Sequence, residues 1–387
     1  MREIIDPRSL HATGAWREGD PVGNRQFADL GELLLDGGGS LPVTLAYETW
    51  GRLNADRSNA VLVLHALTGD SHIAGEAGDG HSTAGWWNSV VGPGNAIDTD
   101  RYFVLAANML GGCQGSTGPS SNSPDGSPWG SRFPQITTRD QVAAEALLAD
   151  SLGIDRFALV VGASLGGQRA VEWGVQFPER VARLAVVASN AATTAEQIAF
   201  SHAQILSITS DPHFNGGDYY DADLGQGPAR GLALARQIAH ITYRSTGELA
   251  DRFGRIQQHA EEPLEGGRYA IQSYLDHHGW KLARRFDANS YVAISRTMMT
   301  HDVGRDRGGV NTALEQIQAR TLVLGVDSDR LFYPYELAQI SNNAPRAEQL
   351  QWIRSRHGHD GFLIEHEQVS RILGRFLRTP EHARIRR

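Results

Sequence analysis

Apolar positions along this chain gather into short, nearly unbroken runs: LPVTLAYETWG (41–51), NAVLVLHAL (59–67), YFVLAANML (102–110), FALVVGAS (157–164), LAVVAS (184–189) and TLVLGVDSD (321–329). A strand with one wet face alternates apolar and polar side chains, whereas a strand covered on both faces does not. The runs therefore predict a mostly parallel sheet buried between two layers. Between them, TTRDQVAAEALLADSLGI (137–154) and GGQRAVEWGVQFPERV (166–181) repeat their apolar positions at helical spacing, and Pro178 marks where the second helix must stop. Strand and helix alternate as in βαβ units, so the predicted fold class is α/β, a mostly parallel sheet flanked by helices.

From Ala191 to Asn311 the rhythm lapses. Long polar and helical stretches such as GLALARQIAHITYRSTGEL and GGRYAIQSYLDHHGWKLARRFD take over, and strand patterning resumes only at Thr321. This predicts one α/β core, residues 1–190 and 312–387, interrupted by a helical lid over 191–311. The Gly/Ser/Pro-rich stretch GGCQGSTGPSSNSPDGSPWG (111–130) follows a strand, and is expected to be an ordered surface loop at that strand's carboxyl end, where α/β folds gather their sites. EQLQWIRS (348–355) reads as a further strand, and EHARIRR (381–387) as a frayed, solvated tail.

Composition removes several classes of function. With 41% hydrophobic and 21% charged residues the chain is of ordinary globular make-up, and its net charge of -8 offers no electrostatic reason to bind nucleic acid or an anionic membrane. No apolar run reaches the roughly 18 residues of a membrane span. The start MREIIDPRSL lacks the apolar stretch of a signal peptide, so a cytoplasmic protein is expected. The single cysteine, Cys113, excludes an intrachain disulfide and reads as a small buried residue of a tight loop rather than a nucleophile. The 15 histidines show no metal-type pairing, and no metal is expected.

The most informative local motif is Gly162-Ala163-Ser164-Leu165-Gly166-Gly167, between an apolar strand and a helix. A tight strand-to-helix turn leaves no room for side chains beside the serine and pushes its hydroxyl out above the sheet. GxSxG alone is weak evidence; its position makes it a nucleophile elbow. A serine needs a base held by an acid, and in this fold they follow in the order Ser, Asp or Glu, His. Asp327 and Asp329 both lie past the run TLVLGV, and His357 and His359 both follow EQLQWIRS. The residues alone leave each pair open. His65 precedes the serine and is assigned to packing or the oxyanion loop. The backbone N–H groups of Leu67 and Leu165 are the expected oxyanion donors.

Nine segments, among them LAYETWG, HALTGDSH, NMLGGCQGSTGPSS, GASLGG, GLALARQIAHITYRS, THDVGR, VDSDRLFYP and GHDGFLIE, resemble the homoserine O-acetyltransferases of methionine biosynthesis, which have the α/β-hydrolase fold. The GGCQGSTGP and ITYRS segments are the specific part of the likeness; the elbow belongs to the whole superfamily. The resemblance implies a triad of Ser164, Asp329 and His359, and Arg236 and Asp360 as holders of the acceptor's carboxylate and amino groups. It sets Tyr243 and Arg244 near the site without a role. It further implies acetyl-CoA and L-homoserine as the small-molecule substrates, a ping-pong reaction, no cofactor beyond the acyl-CoA cosubstrate, and a homodimer. Succinyl-CoA-dependent relatives carry arginine at the position of Leu331; the leucine points to acetyl, since a free succinyl carboxylate would be unpaired there. The rival readings are a succinyl-using or serine-accepting transferase, and an esterase or thioesterase.

Overall fold

The structure, a computed structural model, describes residues 6–381; all of the expected tail beyond Glu381 lies outside the described residues. Its strands are β1 (Gln26–Leu34), β2 (Ser40–Trp50), β3 (Ala60–Leu64), β4 (Phe103–Ala107), β5 (Leu159–Ala163), β6 (Arg183–Val187), β7 (Arg320–Val326) and β8 (Gln351–Ile353). They form one sheet in the order β1-β2-β4-β3-β5-β6-β7-β8. β1 and β2 run antiparallel to their neighbours and every later pairing is parallel. The helices are α1 (Thr138–Ser151), α2 (Leu165–Gln176), α3 (Ala195–Thr209), α4 (Ala229–Tyr243), α5 (Thr246–Arg252), α6 (Ala270–Ala283), α7 (Ala288–Met299), α8 (Val310–Leu314), α9 (Pro334–Asn343), α10 (Gly361–Ile364) and α11 (His366–Arg378).

The unbroken apolar runs have a direct cause: each strand divides its side chains between two cores. Leu62 and Leu64 of β3, with Val160 and Val186, pack under α1, α2 and α9, while Val61 and Val63, with Val161 and Val187, pack on the other face against Val369, Leu373 and Phe376 of α11. α1 begins at a capping box in which Thr137 and Asp140 satisfy each other's backbone N–H groups, and α2 stops at Gln176, ahead of Pro178.

The segment between β6 and β7 is helical, from α3 through α7, and its ends meet. Val303 N–H donates to Ala191 O at 3.0 Å and Thr193 N–H donates to His301 O at 2.9 Å, so the chain leaves the sheet and returns at one neck. A third apolar cluster joins these helices to the core. It contains Leu232 of α4, Phe286 between α6 and α7, Tyr291 of α7 and Leu165 at the start of α2, with Leu67, Met109 and Cys113 from loops at the sheet's edge.

Four details differ from the sequence reading. β1 has no counterpart among the apolar runs, because it is an exposed edge strand in which Leu33 alone is buried. β8 is shorter than the run 348–355, since the chain turns away after Ile353, where Ser355 N–H donates to Asp327. Leu10, Ala12 and Ala15, assigned to the core by position, pack instead in the lid cluster, tied there by Thr13 Oγ1–H to Asp287 at 2.8 Å. Finally, loop 111–130 reaches the surface mainly over 122–127. Most of the rest is buried, its polar groups paired through Thr117 N–H to Thr44 O and Ser116 Oγ–H to Asn108 O, and its glycines permit the close packing: a Cβ on Gly118 would lie 2.4 Å from Gly112 O.

Candidate active site

Ser164 sits between β5 and α2 with φ 56° and ψ -126°, a conformation that a non-glycine residue adopts at a cost of about 1–3 kcal/mol. The small residues around it are required by contact. A Cβ at Gly162 would lie 2.0 Å from Gly166 O, one at Gly166 would lie 2.1 Å from Leu64 O, and one at Gly167 would lie 2.4 Å from Ser189 Cβ. The turn is held by Ser164 N–H donating to Val187 O and by Ser189 Oγ–H donating to Ser164 O.

The loops after β7 and β8 reach the same edge. His359 Nδ1 is 2.7 Å from Asp329 Oδ2, and Asp329 Oδ1 accepts Leu331 N–H at 2.8 Å and Phe332 N–H at 3.2 Å. Both side chains are almost fully buried. Burial alone would push the imidazole's pKa down; the Asp329 carboxylate, with Asp360 beyond it, overrides that and holds it above its ordinary value. The ring packs among Phe332, Phe362 and Tyr243 at centroid distances of 5.2, 5.4 and 5.8 Å. Phe332 and Tyr243 also line the cavity over Ser164. The competing residues are elsewhere engaged: Asp327 accepts Ser355 N–H, and His357 Nδ1 lies 3.3 Å from Glu248.

Among the described residues, neither the Leu67 N–H nor the Leu165 N–H has an acceptor, and Leu67 borders the same cavity as Ser164. Two free N–H groups beside a strained serine are what a developing oxyanion needs. His65 Nε2 accepts Met109 N–H at 3.0 Å and its Nδ1 faces Ala66 O, so it braces the loop that carries Leu67. Beneath it the buried Arg169–Glu145 pair donates from Arg169 to His65 O at 2.7 Å.

The lid roofs this edge with Gln197, Phe200, Ser201 and Gln204 of α3 and with Thr242 and Tyr243 of α4. Gln197 also donates to Leu331 O at 2.7 Å and to Glu336, tying α3 to the loop that carries Asp329. Arg236 lies over the Tyr243 ring, 5.1 Å from its centroid, with Nη1 3.5 Å from Thr68 Oγ1. Asp360 is next to the imidazole in sequence, and its Oδ2 is 3.2 Å from Arg244 Nε. Its carboxyl is raised by burial, and partly pulled back by Arg244 and Arg236.

The α/β-hydrolase fold family model matches residues 59–365. The chain is 58% identical over 370 residues, 95% of this chain and 97% of the relative, to a homoserine O-acetyltransferase of Thermobifida fusca (strain YX). The chain belongs to the homoserine O-acetyltransferase family. It is an acyltransferase of the α/β-hydrolase fold, and its shape agrees: the crystal structure of homoserine O-acetyltransferase from Bacillus anthracis superposes with a TM-score of 0.85 at 26% identity, covering 93% of this chain and 99% of that one. An esterase, E22, superposes with a TM-score of 0.83 at 27% identity, covering 91% and 99%, so the backbone alone does not separate transfer from hydrolysis.

Two other features of this homoserine O-acetyltransferase family member invite a ligand. A hollow of about 370 Å³ lies between the lid and the sheet's first loops, but none of Ser164, Asp329 and His359 lines it, and its Arg25, Arg284 and Arg285 are matched by Asp20, Asp70 and Asp79. Glu48, His72 and His81 bring ligand atoms within 4.8 Å of one another. They fit a metal poorly. The imidazoles stack at 3.8 Å and 11°, so no ion can lie in both ring planes, and His72 is already spent between Glu48 and Glu76 O. Cys113 is buried, which pushes its thiol pKa up to about 12 and leaves it without thiolate character at neutral pH. No helix of the described residues is long and apolar enough to cross a membrane.

Proposed function

We propose that this chain moves an acetyl group from acetyl-CoA to the hydroxyl of L-homoserine, giving O-acetyl-L-homoserine for methionine biosynthesis, through an ester on Ser164. The observation that carries the reading is the His359–Asp329 pair, whose ring neighbours Phe332 and Tyr243 line the cavity over the Ser164 elbow, with two backbone N–H groups alongside that are unpaired among the described residues. Ser164 Oγ attacks the thioester carbonyl while His359 Nε2 takes its proton, and the oxyanion is held by the Leu67 and Leu165 N–H groups. Collapse expels the coenzyme A thiol, which leaves with that proton. The homoserine hydroxyl then attacks the acetyl-serine with His359 again as base, and Asp329 keeps the imidazole in the productive tautomer. Both half-reactions use one triad, hence ping-pong kinetics.

Arg236 is the partner for the acceptor's carboxylate, since a guanidinium matches a carboxylate with two parallel donors, and Asp360 is the partner for its ammonium. Leu331, which lines the cavity over Ser164, favours acetyl over succinyl because it offers no charge to a second carboxylate. Transfer requires that water be kept from the acyl-enzyme, a role the lid over that cavity can fill. No cofactor beyond acetyl-CoA and no metal enter the scheme. A cytoplasmic homodimer fits the exposed apolar residues Ile198, Leu206, Leu234 and Ile241 on the paired lid helices α3 and α4.

The test follows thiol release from acetyl-CoA or succinyl-CoA with homoserine, serine or no acceptor, beside Ser164→Ala. Fast turnover confined to acetyl-CoA plus homoserine and absent from the variant is expected. Acceptor-independent release would make the chain a hydrolase, and a succinyl-CoA preference would overturn the reading of Leu331.

A further inference from the structure

We infer that Arg244 is a positioning residue that aims the Asp360 carboxylate at the ammonium of the acceptor, and so sets selectivity for an amino acid in the second half-reaction. The inference rests on the proposed function, in which Asp360 receives that ammonium.

Arg244 caps the carboxyl end of α4. Its Nη1 donates to both oxygens of Glu248, at 3.1 and 3.2 Å, while its Nε lies 3.2 Å from Asp360 Oδ2. The guanidinium is thus gripped from behind by α5 and presents its inner edge to the loop of the base. That loop cannot drift away. Gly358, at φ +67°, lies so close to the lid that a Cβ there would be 2.7 Å from Tyr243 O and 2.6 Å from Ser245 N, and Ser245 Oγ–H donates to Arg356 O. Arg244 and Asp360 are therefore registered by backbone on both sides.

The pair is also incomplete in a way that points to a ligand. Among the described residues, no hydrogen bond ends on the Asp360 carboxylate, and the buried Arg244 Nε has none either, the 3.2 Å approach being an ion pair without hydrogen-bond alignment. A carboxylate mostly withdrawn from water needs donors, and an ammonium brings three. Arg244 fixes where that carboxylate stands and offsets part of the burial that raises its pKa. The other groups facing Asp360 are Arg236 and Tyr243 of α4, Glu248 of α5, Tyr274 of α6, and His359 of its own loop. Of the cations among them, Arg236 is committed to the substrate's carboxylate.

The experiment compares Arg244→Gln and Arg244→Lys with the unaltered chain in three readouts: first-turnover thiol release from acetyl-CoA alone, kcat/KM for homoserine, and kcat/KM for 4-hydroxybutyrate, which is homoserine without its amino group. In Arg244→Gln the first-turnover release should persist, while KM for homoserine rises about tenfold, the loss of one charge-assisted contact. The homoserine to 4-hydroxybutyrate ratio should fall by a similar factor. That KM should worsen further as pH falls, because Asp360 now protonates more readily, and Arg244→Lys should restore most of the ratio. An unchanged ratio in both variants, or a parallel fall of first-turnover release and homoserine rate in both, overturns the inference. If Arg244→Gln does not fold, Arg244→Met takes its place: a ratio lowered severalfold with release intact supports the inference, and an unchanged ratio refutes it. If the unaltered chain shows no thiol release, or release indifferent to homoserine, the acetyl-transfer reading itself fails and this inference falls with it.

Discussion

Replacing Asp329 with asparagine tests the triad through a single proton. In the native loop Oδ1 is fixed by the N–H groups of Leu331 and Phe332, and Oδ2 faces His359 Nδ1. An asparagine must keep its carbonyl toward those two backbone donors, because the flipped amide would set N–H against N–H and forfeit both bonds, at about 1–3 kcal/mol for each group left unsatisfied. Its amide nitrogen therefore points at Nδ1, which can then only accept. The imidazole's proton moves to Nε2, and the nitrogen that should receive the serine proton is occupied. The same exchange in a serine-protease triad lowers turnover by about 10⁴-fold, which is about 5.5 kcal/mol of barrier. A loss of that order is expected here, read as the rate of first-turnover thiol release after rapid mixing with acetyl-CoA, with the circular-dichroism melt nearly unchanged. Retention of more than a tenth of the native rate in a folded Asp329→Asn protein would refute the assignment of Asp329 as the orienting acid.

Other consequences are equally open to measurement. In the proposed reaction His359 must be neutral to act as base, and its pKa is raised above the ordinary 6.5, so kcat/KM should fall as pH drops through a midpoint above 6.5; a midpoint below 6.5 contradicts the Asp329 pairing. The same raised pKa means that protonated His359 adds stability at low pH, and that this contribution fades as pH rises through the folded value. Gly166→Ala puts a methyl 2.1 Å from Leu64 O and should lower unfolding free energy by at least about 1–3 kcal/mol in urea titration; an unaltered midpoint would show that the elbow has slack. Leu331→Arg should raise the succinyl-CoA to acetyl-CoA ratio of kcat/KM at least about tenfold by pairing the second carboxylate, and a static ratio would move donor choice to another residue.

How much of this was readable beforehand depended on whether the cause was local. The buried strands could be read because double-sided burial writes itself as uninterrupted Val, Leu and Ala, and the elbow could be read because close backbone contact at Gly162 and Gly166 forbids other residues. β1 could not: with Leu33 alone buried it owes its existence to hairpin pairing with β2, not to its own apolar content. Loop 111–130 misled for a related reason. Glycine and serine mark exposed linkers and equally mark chain packed so closely that side chains do not fit. The choice of Asp329 over Asp327 and His359 over His357 was open to the residues and came only from family likeness. In the structure it turns on which carboxylate faces the imidazole, a matter of two positions along a loop. The Arg244–Asp360 contact had no signal in the residues themselves, since the two become neighbours only when the lid docks on the base loop; family likeness set Arg244 near the site without a role.

The neck at Ala191 and Val303 gives the lid the form of a cassette, a length of chain whose two ends enter and leave the sheet side by side. Such an insert is easily exchanged in evolution, and the shared fold of a transferase and an esterase invites the idea that specificity travels with it. Here the exchange has seams elsewhere. Gln197 is fastened to Leu331 O, and Ser245 and Arg244 to the loop from Arg356 to Asp360, so the cassette grips both loops that complete the proposed triad. A chimera that grafts only the helices between the neck residues should fold yet transfer poorly, whereas one that carries the two gripping loops along with them should keep its chemistry.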